Sequence, residues 1–309
     1  MPVTEPQPFL KWAGGKRQLL PQFRRFYPDD FRTYHEPFLG SGAVFFDLWQ
    51  LGKLRHRRAI LTDDNADLIG CYLRVRDNTS EVVTALERLA QGHERHEREH
   101  YYRVRNDVFN PTRRAWREGG GRPSAYTPDL AAMLIYLNRT GYNGLFRVNA
   151  SGEFNVPAGR YARARILDAA RLHAVADVLA RPGIDIGEGR FENVAARATA
   201  TDFVYFDPPY APLSPTAQFR SYTSHRFDDA DQERLHELAL RLADAGVQVM
   251  LSNSTAASMT DLYETDARAR GAGLCAYRLS ARRAINSQPG SRGAIEELLV
   301  TNLARREAA

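Results

Sequence analysis

Phe203-Val204-Tyr205-Phe206 runs without a break into Asp207-Pro208-Pro209-Tyr210, and this junction constrains the fold more than any other stretch of the chain. An unbroken apolar run that is β-branched and aromatic reads as a buried strand. Two successive prolines then stop it, because each locks φ, removes an N–H donor and holds the preceding residue extended. A strand that ends this way delivers its last residues to the carboxyl edge of a parallel sheet, where open α/β folds bind ligands. What remains there is rich in acceptors. The Asp207 carboxylate and the Pro208 carbonyl can each take a hydrogen bond from an amino group, and Tyr210 offers a flat face for a planar base. The same four residues also make an ordinary strand-ending turn whose aspartate caps the next segment; the rest of the chain decides between the two.

Apolar or β-branched runs predict strands at Arg32–Glu36, Ala59–Thr62, Thr201–Phe206 and Val247–Ser252, each closed by polar or Gly/Pro residues. Helical patterns lie between them. In Asp231–Ala245 the residues Leu235, Leu238, Leu242 and Ala245 share one face, behind Asp228 and Asp229 as capping candidates. Alternating strands and helices call for a parallel sheet covered on both faces. Cys275–Leu279 and Glu296–Thr301 add edge strands, antiparallel to the rest. Between Asp67 and Leu167 arginine-rich helical stretches replace the sheet pattern, broken by Glu118-Gly119-Gly120-Gly121-Arg122-Pro123. The last of these helices, near Asp129–Arg139, puts Leu130, Met133, Leu134 and Leu137 at core spacing. Two short runs around Asn149-Ala150-Ser151-Gly152 then predict a β-hairpin. The expected organisation is a catalytic unit made of 1–66 and 168–309, with residues 67–167 as an inserted, mostly helical unit carrying a hairpin near 141–161.

A chain of 309 residues, 43% hydrophobic and 26% charged, is an ordinary globular composition. No run approaches the roughly 20 apolar residues of a membrane span, and Met1–Phe9 lacks a basic-then-apolar signal pattern, so the cytoplasm is the expected location. Cys71 and Cys275 stand far apart without partner motifs, which argues against a disulfide framework or a zinc cluster. His96-Glu97-Arg98-Glu99-His100 matches the H-E-x-x-H pattern, but charges surround it on every face; it reads as a solvated helix and no metal is expected. The net charge of +5 fits a polyanionic partner. Arginine supplies nearly all the cations. The only lysines are Lys11, Lys16 and Lys53, and two of them fall in Lys11-Trp12-Ala13-Gly14-Gly15-Lys16. A compact ammonium on a flexible stem is therefore wanted there, where arginine would not substitute.

Directly after the first strand comes Glu36-Pro37-Phe38-Leu39-Gly40-Ser41-Gly42, half of a nucleotide-binding loop. Gly40 and Gly42 let backbone approach a cofactor, but Phe45 stands where the third glycine of G-x-G-x-x-G would be, which disfavours a pyrophosphate. Asp63 and Asp64 end the second strand, about 20 residues on, where an acid bonds a ribose diol. An adenosine without phosphates points to S-adenosylmethionine, with a bare strand-helix turn and solvated acids as the other reading of the loop.

Taken in order, these segments resemble the Dam-type DNA adenine-N6 methyltransferases over nearly the whole chain. The resemblance is carried by Phe9-Leu10-Lys11-Trp12-Ala13-Gly14-Gly15-Lys16, Glu36-Pro37-Phe38-x-Gly40-x-Gly42, Asp63-x-Asn65 and Asp207-Pro208-Pro209-Tyr210. It continues in Asn138-Arg139-x-Gly141-Tyr142-Asn143-Gly144-Leu145-x-Arg147, in Gly152 to Tyr161 and in Ala211-Pro212-Leu213-Ser214. The resemblance implies a Rossmann-like sheet with an inserted DNA-recognition domain. It also implies that Trp12, Lys16, Asp63 and Asp207 contact the cofactor beside the Phe38, Gly40 and Gly42 loop. Asp207, Pro208, Pro209 and Tyr210 would hold the target adenine, and Lys11, Tyr142, Asn143, Leu145, Arg147, Pro157, Arg160 and Tyr161 would face double-stranded DNA. The base must leave the stack to be methylated, at a cost of a few kcal/mol that stacking on Tyr210 and two N6–H acceptors offset.

Arg147 is the specificity candidate, suited to a guanine edge, with a phosphate contact or a solvated side chain as its other readings. Tyr142 is either a wedge in the base stack or a packed aromatic at the hairpin base. Phe146, Thr140 and the Gly119–Gly121 spacer depart from the family pattern, leaving open whether the site is GATC or a relative. The alternatives are an RNA or protein amino-group methyltransferase and a catalytically idle DNA-binding regulator. A cognate restriction endonuclease is a further expected partner.

Overall fold

A computed structural model describes residues 4–12, 14–161, 163–212, 227–282 and 294–306; Ala13, Leu213 and Ser214 of the motifs lie outside the described residues. Among the described residues seven strands form one sheet: β1 (Thr33–Glu36), β2 (Arg58–Asp63), β3 (Ile184–Glu188), β4 (Phe203–Phe206), β5 (Gln248–Ser254), β6 (Cys275–Arg282) and β7 (Ala294–Thr301). Their order is β3-β2-β1-β4-β5-β7-β6. The first five are mutually parallel, and β7 pairs antiparallel with both β5 and β6. The chain steps outward from β1 through β2 to β3, then returns to place β4 on the other side of β1. That reversal is a switch point, where adjoining loops diverge and leave a crevice at the carboxyl edge.

Alternation along the central strands explains the layering. In β4, Phe203 and Tyr205 enter one apolar core, while Val204 and Phe206 enter the other. With all four side chains buried, each contributes roughly 2 kcal/mol by removal from water. On the second face lies the helix Asp229–Asp244, started by a reciprocal capping box: Asp228 Oδ1 accepts from Asp231 N at 2.9 Å and Asp231 Oδ2 from Asp228 N at 3.1 Å. On the first face lie the helices of the arginine-rich stretch after β2. Ala66–Asp77, Thr79–Arg95, Glu97–Arg103, Asn110–Glu118 and Pro128–Thr140 share one continuous apolar cluster with the sheet. Pro128–Thr140 is apolar on nearly every side, so Ala131, Ala132, Ile135 and Tyr136 are buried along with the four core residues read from spacing.

The structure corrects several expectations. β3 was not legible in the sequence; β7 is not an edge strand, because it lies between β5 and β6, and β6, antiparallel to β7, runs parallel to β1–β5 rather than against them. The hairpin forms no continuous ladder: among the described residues its β-bridges, Gly141 to Ala158 and Val148 to Phe154, are isolated, and Tyr142–Gly144 is wound into a single 3-10 turn. His93 to His100 is not one solvated helix either. The chain breaks at His96 between two helices, and His100 is buried against Tyr136.

Candidate active site

Asp207 leaves β4 at the switch point, and Lys16 meets it there from the N-terminal segment. Their Nζ to Oδ1 distance is 2.7 Å. The Lys16 side chain is only 2% exposed, against 21% for Asp207. Burying an ammonium is costly without a counter-ion, so the pair holds both groups in place. Lys16 also donates to the Gly14 carbonyl and lies 4.5 Å from the Tyr210 ring centroid. The Ser252 hydroxyl donates to Asp207 Oδ1 at 3.2 Å. Burial pushes the Asp207 carboxyl above its ordinary range, while the Lys16 charge and hydrogen bond favour the carboxylate.

The turn itself is clamped from outside. Gln232 Nε2 donates to the Pro209 carbonyl at 3.0 Å, and Asn253 Nδ2 donates to Gln232 Oε1 at 2.9 Å. Asn253 Oδ1 then accepts from Ala211 N at 3.2 Å, and Ser254 Oγ donates to the Ala211 carbonyl at 2.6 Å. Gln232 and Asn253 are buried polar side chains whose hydrogen-bonding groups are matched to the turn and to each other. The Tyr210 hydroxyl donates to Glu297 Oε2 at 2.5 Å. Among the described residues, no donor reaches the Pro208 carbonyl. Sequence reading missed Gln232, Ser252, Asn253, Ser254 and Glu297. Only the polar ending of β5, Ser252-Asn253-Ser254 after Val249-Met250-Leu251, carried a signal.

Across the crevice the loop after β1 is shaped around Trp12. Gly40 has φ +48°, and a Cβ there would sit 3.0 Å from Trp12 Cδ1. Asp63 fixes the same loop: Oδ2 accepts from Gly40 N and Oδ1 from Asn65 N, both at 3.0 Å. Burial pushes the Asp63 carboxyl up to about 7, against the pull of those two donors. Gly42, in the left-handed region, opens the helix Ala43–Gln50. Phe38 stacks on Phe191 at 5.5 Å and meets Phe227 edge-on at 5.6 Å. Phe191 and Phe227 were not singled out from the sequence; their nearest polar context gave no motif.

The recognition candidates gather around the N-terminal segment and the bridged hairpin. Lys11 lies with Nζ 4.2 Å from the Tyr161 ring centroid, and burial followed by the Arg139 charge lowers its pKa. Asn138 ties Lys11 to the hairpin, giving hydrogens to the carbonyls of Lys11 at 2.6 Å and Gly144 at 2.8 Å while its Oδ1 accepts from Lys11 N at 2.8 Å. Asn143 takes the left-handed conformation at φ 55°, and Leu145 packs on the core. Tyr142 is 47% exposed, which excludes a packed aromatic at the hairpin base. Arg147 is half-buried, with Nε donating to Asn155 Oδ1 at 2.7 Å. Pro157 and Arg160 are exposed. Arg113 supports the hairpin from below: it bonds both Asp67 oxygens at 2.8 Å and also donates to the Gly152 carbonyl. Phe146, one of the departures from the family pattern, stacks on Trp12 at 5.8 Å and so joins the hairpin to the loop after β1.

The fold is that of a Rossmann-like methyltransferase. Residues 12–275 match the family of D12 class N6 adenine-specific DNA methyltransferases, and the chain belongs to that family. It is 39% identical to the type II methyltransferase M.MjaIII of Methanocaldococcus jannaschii, over 96% of this chain and 99% of that one. Identity is 36% with the type II methyltransferase M1.LlaDCHI of Lactococcus lactis subsp. cremoris, over 96% and 95% of the two chains. It is also 36% with the DNA adenine methylase of Escherichia coli strain K12, over 94% and 93%. The chain is an adenine-specific DNA methyltransferase, and its family implies S-adenosylmethionine as methyl donor. Among the described residues no helix is long and apolar enough to cross a membrane, and no three His, Cys, Asp or Glu side chains cluster as a metal site.

Proposed function

We propose that this chain methylates N6 of an adenine extruded from duplex DNA, with Asp207, Pro208, Pro209 and Tyr210 as the turn that receives the base. The observation that carries the proposal is the carboxyl edge itself. Asp207 ends β4 with a partly exposed carboxylate, the Pro208 carbonyl is the next acceptor along the chain, Lys16 links Asp207 to the Tyr210 ring, and Gln232 and Asn253 hold the turn through Pro209 and Ala211. An amino group donating both hydrogens to such acceptors turns its lone pair out of the ring plane, and orientation of this kind supplies much of a rate enhancement. Lys16 favours the ionised form of Asp207 against the burial that raises its carboxyl.

S-Adenosylmethionine, when bound, supplies an electrophilic methyl group on a sulfonium. The crevice suits it: Asp63, Phe38 and the close approach of Trp12 to Gly40 offer a carboxylate and aromatic faces without a phosphate cradle. In this reading Trp12, Lys16, Phe38, Gly40, Gly42, Asp63 and Asp207 hold the cofactor. Lys11, Tyr142, Asn143, Leu145, Arg147, Pro157, Arg160 and Tyr161 face DNA, with the helical insertion and its bridged hairpin as the recognition unit. Arg147 reads a guanine of GATC or a related site. The type II names of two relatives support pairing with a cognate restriction endonuclease. Transfer of tritiated methyl to duplex DNA tests the assignment. Label is expected in adenine with the natural chain and none with Asp207→Ala; equal label in both would end it. Methylation-sensitive sequencing of DNA from cells expressing the chain reads out the site.

A further inference from the structure

The chain is gripped at Tyr210 and at the residue after it. Ser254 holds the carbonyl of Ala211, the next residue, and Glu297 takes the phenol hydrogen at 2.5 Å. Glu297 and Ser254 are register partners on β7 and β5, so the two grips come from one place in the sheet. A charge-assisted O–H···O⁻ bond of this length is among the stronger ones available to a side chain, and it removes the torsional freedom of a half-exposed ring. The ring already lies 4.5 Å from one cation, the Lys16 ammonium, so cations are received on this π-system. Glu297 lies beyond residues 12–275, the part of the chain that matches the family.

We infer that Glu297 is a positioning residue for methyl transfer: its carboxylate fixes the plane of Tyr210 against which the target base stacks. The inference rests on the base-receiving role proposed for Asp207 to Tyr210. When its amine is alkylated the purine becomes cationic before it sheds a proton. A ring whose phenol is hydrogen-bonded to an anion is the better partner for that charge. The effect belongs to the chemical step rather than to DNA capture.

Single-turnover methyl transfer at saturating DNA and cofactor tests this, with the natural chain, Glu297→Ala, Glu297→Gln and Tyr210→Phe compared. Glu297→Ala is expected to slow the step about tenfold, as loss of a hydrogen bond to a charged group does, with KM for DNA unchanged. Glu297→Gln keeps an acceptor in the same shape and recovers part of the rate. In the Tyr210→Phe background, where the hydroxyl is gone, Glu297→Ala has no further effect. The inference is overturned if Glu297→Ala transfers at the natural rate, if it acts through KM alone, or if its effect persists undiminished on Tyr210→Phe. Absence of label with the natural chain would instead remove the base-receiving role itself, and the inference with it.

Discussion

Replacing Asn138 with alanine tests how the N-terminal segment is joined to the hairpin. Asn138 is 1% exposed, and its amide uses both kinds of group: two hydrogens go to the Lys11 and Gly144 carbonyls, and Oδ1 takes the Lys11 N–H. Alanine deletes all three bonds and strands one N–H and two carbonyls. At about 1 kcal/mol net for each bond the loss is about 3 kcal/mol, a factor of roughly 100 or more in the folding equilibrium. The close approach of the two segments makes repair by movement difficult, since even a methyl on Gly144 would run into the Lys11 side chain. Urea unfolding followed by circular dichroism should show the midpoint falling by roughly 1 M at unchanged slope, taking a slope of about 3 kcal/mol/M. Asn138→Asp is the sharper comparison, because an ionised carboxylate turned toward two carbonyls repels both. It should be at least as damaging at neutral pH and should regain stability on acidification, when the protonated acid can donate one hydrogen. An unchanged midpoint for Asn138→Ala would refute the reasoning, since it would mean that these three buried bonds hold nothing.

Gly40→Ala is expected to weaken S-adenosylmethionine binding by calorimetry, because the new methyl lies 3.0 Å from Trp12 and φ is +48°; unaltered affinity would show that Trp12 plays no part there. Asp63 sits at about 7 in the folded chain against roughly 3.9 unfolded, so the folded state binds the extra proton. Its contribution to stability is therefore full below about pH 4 and lost as pH rises through about 7, and a carboxyl carbon-13 titration should place its midpoint well above 4. Arg147→Ala should relax discrimination at one base pair about tenfold to a hundredfold, whereas Arg160→Ala should weaken binding evenly across sequences and lower the salt slope by about one. Fluorescence anisotropy on matched and mismatched duplexes separates these two outcomes, and an even loss with Arg147→Ala would reassign it to the backbone.

The parallel centre of the sheet was legible because β1, β2, β4 and β5 are buried runs with abrupt ends, and the Asp207 turn announces its own geometry through two prolines. β3 escaped because it borders β2 alone. An edge strand need not be apolar, and Ile184-Asp185-Ile186-Gly187-Glu188 has the look of a loop. β7 was found but misplaced, since nothing local tells an edge strand from one inserted between two others. The hairpin was overestimated for a related reason: Asn143 at φ 55° and the 3-10 turn at Tyr142–Gly144 divert backbone that the first of the two short runs had been read to place in a strand. In the site, the residues proposed to touch ligands lie in motifs, whereas those that hold them in place do not. Gln232 reads as a helix residue and Glu297 as a surface acid until the fold brings each to the turn.

The insertion of β7 between β5 and β6 has a consequence for how the molecule is made. Translation delivers β6 before the strand that attaches it, so β6 has no place in the sheet until residues 294–301 have emerged. A nascent chain halted earlier would present β5 as a bare apolar border, open to pairing with another copy. Because Glu297 travels on that late strand, the Tyr210 grip closes only as the sheet does, and a truncated product would be both sticky and poorly set for its chemistry.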